Sequence, residues 1–120
     1  MMRPANDLPE VYLCLQPVDF RKGMIALAVM VERELKMNPF DARLFVFTNR
    51  HRNQVRILYW ERNGFCLWQK RLEKERFHWL RSGDGGATAI IGGHQLNWLL
   101  DGYDIARMKP HKEVKFSFIS

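Results

Sequence analysis

Serine is scarce in this chain of 120 residues: Ser82, Ser117 and Ser120 are all it has. None lies in a strand-to-helix elbow or near an obvious base, which argues against a serine nucleophile. The two cysteines, Cys14 and Cys66, lack metal or redox spacing and sit in apolar runs, where a reduced thiol behaves as a small hydrophobe. His51, His78, His94 and His111 show neither i,i+4 nor paired Cys/His spacing, so no structural metal is expected. The longest uncharged apolar run, Met24 to Val31, falls far short of the roughly 20 residues that a membrane span requires. The opening MMRPANDLPE has neither an apolar core nor a small-residue cleavage pattern, and a cytoplasmic location with no membrane partner is expected. Acids are few as well. Asp19 reads as a helix cap, Glu61 and Glu73 flank turns and Asp101 ends a helix, which leaves no set of converging carboxylates for two-metal hydrolysis. The chain is therefore expected to hold no catalytic residue, no metal and no cofactor, and to act other than as an enzyme.

What the chain does have is positive charge, +6 overall, and most of it in one place. From Arg43 to Arg81 ten Lys/Arg stand against three acids, whereas the remainder carries nine against ten. Eight of those ten cations are arginine, whose planar fork matches phosphate oxygens in a way that the point charge of lysine does not. A polyanion is the natural partner.

The length suits one domain with a real core. Residues 1–9 read as an N-terminal extension, 10–105 as a single α+β domain and 106–120 as a basic tail that could add an edge strand through VKFSFI. Within the domain, VYLCLQ (11–16) is a strand ended by Pro17. Asp19 sits where an N-cap belongs, and Phe20, Met24, Leu27, Val31 and Leu35 recur at spacings of three and four, predicting an amphipathic helix of about four to five turns stopped by Asn38-Pro39. From Leu44 the period changes to two. LFVFT, VRILYWE, FCLWQKRL and RFHWL read as an antiparallel meander, with Asn63-Gly64 as the clearest hairpin signal. SGDGGATAIIGG lacks both the Walker and the dinucleotide-binding spacing and reads as a loop around a short strand, Thr88–Ile91. HQLNWLLDG (94–102) is a short helix with Leu96, Leu99 and Leu100 inward and Gly102 as its stop.

If Asn63-Gly64 forms a two-residue loop, Ile57 faces Lys70, Tyr59 faces Trp68 and Arg56 faces Arg71. One sheet face then gathers Val55, Ile57, Tyr59, Trp68, Leu72, Phe77 and Trp79, enough apolar surface to receive the long helix. The other gathers Arg56, Arg71, Arg76, Gln69 and His78 around Trp60 and Leu67, a basic face with interleaved aromatics. Opposed arginines destabilise a sheet unless an anion, a carboxylate such as Glu73 or Glu61, or a different register relieves them. Two further positions point to an anion. Arg21 and Lys22 fall in the first turn of the expected helix, where the backbone dipole disfavours cations, and a bound phosphate or an internal carboxylate would resolve the conflict. Arg50, His51 and Arg52 fall in a polar turn between two strands. The candidate nucleic-acid contacts are Arg21, Lys22, Arg50, Arg52, Arg56, Arg71 and Arg76.

Six short motifs then carry a resemblance: DFRKG at 19–23, F-x-F-x-N-R-x-R at 45–52, LYW-x-RNGF at 58–65, KRLE at 70–73, RF-x-W at 76–79 and LLDGYD at 99–104. In this order they resemble the small second-reading-frame protein, often called TnpB, of the insertion sequence 66 family of bacterial mobile elements. The resemblance covers roughly residues 10–105. It implies an accessory protein of DNA transposition, encoded beside a larger transposase that performs the catalysis. His51, Asn53, Arg56 and Glu61 depart from the usual pattern, and the loss of the customary acid at 53 makes the turn more basic. Taken with the charge, the expectation is a non-catalytic protein that binds DNA backbone through its arginines. The alternative is a module that docks on the transposase through arginine and tryptophan anchors. A homodimer through an edge strand is possible in principle.

Overall fold

The computed structural model describes residues 3–8, 10–83 and 86–108. Five strands and two helices follow in the order β1 (Val11–Cys14), α1 (Met24–Arg33), β2 (Leu44–Thr48), β3 (Gln54–Glu61), β4 (Gly64–Arg71), β5 (Thr88–Ile91) and α2 (Gly93–Leu100). The strands form one sheet ordered β4-β3-β2-β1-β5. β2, β3 and β4 are the expected meander. β1 runs parallel to β2, Val11 beside Leu44, because α1 carries the chain back across the sheet between them. β5 closes the other edge antiparallel to β1. The result is a small α+β domain with a mostly antiparallel sheet.

The alternation of side chains sorts the core into two layers. Val55, Ile57, Phe77 and Trp79 share one cluster, with Tyr59, Trp68 and Leu72 packed against it, so the seven residues expected on one face do share it. The expected cover is wrong, however. That face is closed by α2, through Leu96, Leu99 and Leu100, and by Ile105. Helix α1 lies on the opposite face, where its Leu27, Ala28 and Val31 pack with Phe45, Phe47 and Leu58. Periodicity tells which residues point the same way, but both faces here carry enough apolar side chains to take a helix.

Three local expectations also change. Helix α1 has ten residues and begins after Gly23, with no side-chain cap. It ends early because Lys36 takes a left-handed conformation (φ 56°), before Asn38-Pro39 is reached. The β3–β4 turn residues are Arg62 and Asn63, with Arg62 at φ 52°, and Glu61 pairs with Gly64. This register keeps each residue on its expected face but sets Arg56 opposite Gln69 and Ile57 opposite Trp68, which removes the Arg56–Arg71 opposition. Finally, residues 76–79 form no strand. Phe77 and Trp79 are nonetheless buried, and their N–H groups are met from elsewhere: Phe77 N donates to Arg52 O (2.7 Å) and Trp79 Nε1 to Cys14 O (2.8 Å).

Helix α2 matches its sequence signals closely. Leu96, Leu99 and Leu100 are fully buried, and Gly102 ends the helix at φ +98°. The N-terminal segment holds it along its length: Gly93 N donates to Leu8 O at the start, Asn97 Nδ2 donates to Pro4 O in the middle, and Arg3 pairs with Asp101 at the end. A Cβ on Gly93 would stand 2.1 Å from Ala5 O, so only glycine permits this approach. The possible edge strand in VKFSFI lies outside the described residues.

Candidate nucleic-acid interface

The chain leaves β1 at Cys14 and β2 at Thr48 at the same end of the sheet, because the two strands are parallel. Two loops therefore meet there, and Val18 N donates to Thr48 O (2.8 Å) to fasten one to the other. Between them opens a groove of about 800 Å³, walled by Pro17 to Arg21 on one side and Asn49, Arg50 and His51 on the other, with Gln54 and Arg56 between. DFRKG and the N-R-x-R turn, far apart in sequence, form these two walls.

The β2–β3 turn is stiff. Asn49 Oδ1 accepts from the backbone of both Asn53 and Gln54 (3.1 Å each), and Asn49 Nδ2 donates to Asn53 Oδ1 (2.7 Å). Thr48 Oγ1 donates to Gln54 O. Arg52 sits in the left-handed region at φ 59°, and its carbonyl receives Phe77 N while Asn53 O receives Leu72 N. The segment after β4 thus braces the turn from behind. Sequence reasoning saw a basic loop here and missed this bracing, although asparagine's tendency to bond its own local backbone was a signal for it.

The seven sequence-selected cations fall into different settings. Arg50 is exposed on the groove wall. Arg71 is exposed opposite Gln54, hence on the same sheet face as Arg56 and at the same end of the sheet. Lys22 and Arg76 are exposed, and Arg52 is half-buried within the turn. Among the described residues, Arg50, Arg52, Arg71 and Arg76 form no side-chain ion pair, and neither Glu61 nor Glu73 neutralises an arginine. Arg56 is engaged: its Nε donates to Gln69 Oε1 (3.0 Å), its Nη1 to Phe20 O (2.9 Å) and Lys22 O (3.3 Å), and its guanidinium lies over the Phe20 ring. It ties the DFRKG loop to the sheet.

The expected first-turn conflict does not arise, because α1 starts at Met24 and both Arg21 and Lys22 lie in the loop before it, where Arg21 is paired with an internal carboxylate. Its guanidinium meets Asp19 Oδ2 at 2.8 Å, and its backbone N–H also donates to Asp19 Oδ1. Asp19 is therefore a clasp for Arg21 and not the cap of α1. The hydrogen bonds from the Arg21 side chain hold the Asp19 carboxyl at about 2, below the usual carboxylate range. Both groups are solvent-exposed, so the pair is open to competition from another anion.

The same face ends differently at its far side. There Phe40, Trp60 and Phe65 form a three-ring cluster with centroids 4.9 to 5.3 Å apart. Elsewhere, Arg43 pairs with Glu10 and Tyr12, and Arg107 with Asp104. Burial pushes the Cys14 thiol up. Among the described residues no three His, Cys, Asp or Glu side chains stand together to hold a metal ion, and no described helix is long and apolar enough to cross a membrane.

Residues 9–110 match the family described as IS66 Orf2 like protein. Two proteins of Sinorhizobium fredii (strain NBRC 101917 / NGR234) are similar. Uncharacterized protein y4hO is 39% identical over 103 residues, covering 86% of this chain and 88% of that protein. Uncharacterized protein y4jC is 32% identical over 115 residues, covering 96% and 95%. No solved structure matches the chain. With the family matched from before β1 to beyond α2, this chain belongs to the IS66 Orf2-like proteins, the second-reading-frame products of insertion sequence 66 elements, and is by that membership associated with transposition.

Proposed function

We propose that this protein is a non-catalytic, cytoplasmic accessory factor of DNA transposition that grips the DNA backbone at the sheet end where Arg21, Arg50 and Arg56 meet, extended by Lys22, Arg52, Arg71 and Arg76. The observation that carries the reading is that Arg50, Arg52, Arg71 and Arg76 lack a carboxylate partner among the described residues, while Arg3, Arg21, Arg43 and Arg107 each have one. Unpaired guanidinium groups on a stiff turn keep their donors for phosphate oxygens, and the braced backbone limits the ordering cost of binding. Sequence selectivity is not part of the proposal.

Anisotropy titrations of labelled duplex DNA across a salt series test it. Five to seven phosphate contacts give log K a slope against log salt of about −4 to −6. The double reversal Arg50→Glu with Arg71→Glu flattens that slope by about 2 and leaves the thermal midpoint nearly unchanged. Absence of binding to any duplex at low salt overturns the reading.

A second reading, docking on the transposase of the same element, draws on a different surface. Ile25 and Val29 stand one turn apart on the outer side of α1 and are both exposed. Under that reading, co-purification with the transposase survives nuclease treatment and is lost in Ile25→Asp.

A further inference from the structure

The groove lies at one end of a longer strip. On the α1 side of the sheet, β3 presents Gln54, Arg56, Leu58 and Trp60, and β4 presents Phe65, Leu67, Gln69 and Arg71. Helix α1 buries Leu58 together with Phe45 and Phe47, but it leaves the β4 side open: Phe65 and Leu67 are half-buried, and Gln69 and Arg71 are exposed. Among the described residues β4 is also an edge strand of the sheet, with no strand paired beyond it. From Phe65 to Arg71 the strip runs about 20 Å at the rise of a β-strand. Its two ends differ in chemistry. One carries Arg56 and Arg71 beside the groove; the other carries Phe40, Trp60 and Phe65, where Phe40 is 52% exposed as a residue and has both neighbouring ring centroids within 5.3 Å. A phenylalanine that far into solvent, backed by two further aromatic rings, is surface on which another flat ring can stack.

We infer that this strip binds an unpaired DNA strand, with phosphates at the arginine end and a base stacked on Phe40 and Trp60 at the other. The inference rests on the reading that the arginines bind DNA, and it adds which form of DNA they bind. A duplex offers this surface only phosphates, since its base faces are stacked inside the helix. An unpaired strand offers phosphates and open rings together, and a sheet face set with both guanidinium and aromatic groups satisfies both. The positive charge makes a polyanion a better match than an apolar protein segment.

The test compares an oligothymidylate of about 12 nucleotides, within the usual footprint of a small domain, with a duplex of the same length, using the full chain. Three results are expected: the single strand binds about tenfold tighter, binding quenches tryptophan emission, and Trp60→Phe removes most of that quench while keeping a ring in place. Phe40→Ala, an exposed truncation whose fold is checked by circular dichroism, lowers single-strand affinity about tenfold and leaves duplex affinity unchanged. Equal affinity for both DNAs with Phe40→Ala indifferent overturns the inference and leaves the backbone-binding reading standing. Loss of transposase capture in Phe40→Ala without any change in oligonucleotide affinity also overturns it, and assigns the rings to a protein partner. Failure of both DNAs to bind overturns both readings.

Discussion

Each face of the sheet is covered by a helix, and the two are closed by different means. On the α2 side the closure is mostly apolar: Phe77, Trp79, Leu96, Leu99 and Leu100 fill it, and two cations reach its margin, Lys70 donating to Leu100 O at the helix end and Arg3 to Asn97 O. On the α1 side an arginine is part of the closure. Arg56 holds the loop before α1 by two backbone carbonyls, and around it the surface opens into a groove. The first face only has to exclude water. The second has to exclude water over Phe45, Phe47 and Leu58 while keeping cations in reach of solvent a few ångströms away.

Breaking the α2 face costs stability. Phe77→Ala, at a site 2% exposed, is expected to destabilise by about 3–5 kcal/mol, read as a lower urea midpoint. It also frees the brace behind the β2–β3 turn, so amide exchange at Asn53 and Gln54 accelerates. A smaller effect is expected on the other face, where a single polar side chain is involved. Arg56→Ala removes three hydrogen bonds from a half-buried guanidinium, at about 1–3 kcal/mol, and releases the DFRKG loop. Arg56→Lys does not restore it, because one ammonium cannot reproduce the planar fork that serves Gln69 and the two carbonyls at once. Arg50→Ala, on the open wall, leaves the urea midpoint within about 0.5 kcal/mol. Equal losses for Arg56→Ala and Arg50→Ala would erase the distinction between a structural and a displayed arginine.

The smallest effect concerns pH. Asp19 titrates at about 2 in the folded chain against 3.8 ordinarily, so it binds its proton less readily when folded. Its contribution is thus present above about pH 4 and is lost as the pH falls from there toward 2. Asp19→Asn flattens the stability profile in that window, and added salt shrinks the difference because the pair is exposed.

Much of this arrangement was legible in the sequence. LFVFT and TAII became strands at the expected residues, and period-two alternation sorted the β3 and β4 side chains onto their faces, although Arg76 and His78, expected on the basic face, lie in a segment that forms no strand. The four leucine and glycine signals of α2 held for the same reason: each is a local choice with a local cause. What was not legible depended on long-range competition. Nothing in Phe20, Met24 or Leu27 says which of two apolar sheet faces they will cover. RFHWL alternates like a strand, yet the Phe77 backbone N–H is taken up by Arg52 O and the Trp79 indole N–H by Cys14 O, residues that only the folded chain brings near. Asn63-Gly64 was the stronger turn signal by residue type, but the Arg62-Asn63 turn separates Arg56 from Arg71, an energy that is invisible until both strands are aligned. In the site, the sequence named the cations, whereas the Asp19 clasp, the Asn49 bracing and the role of Arg56 as a tie emerged from geometry.

The placement of β1 bears on how the chain comes together. It is made before any other strand, yet it takes an interior position whose two neighbours, β2 and β5, arrive after a helix and after three strands respectively. The β2–β3–β4 meander needs only neighbouring segments and can assemble during synthesis, while Val11 must wait for Leu44 and then for Ile91. Until Thr88–Ile91 leaves the ribosome, β1 keeps one row of amides unpaired, so a chain cut short before that point would present a sticky flank to its fellows and would be expected to aggregate.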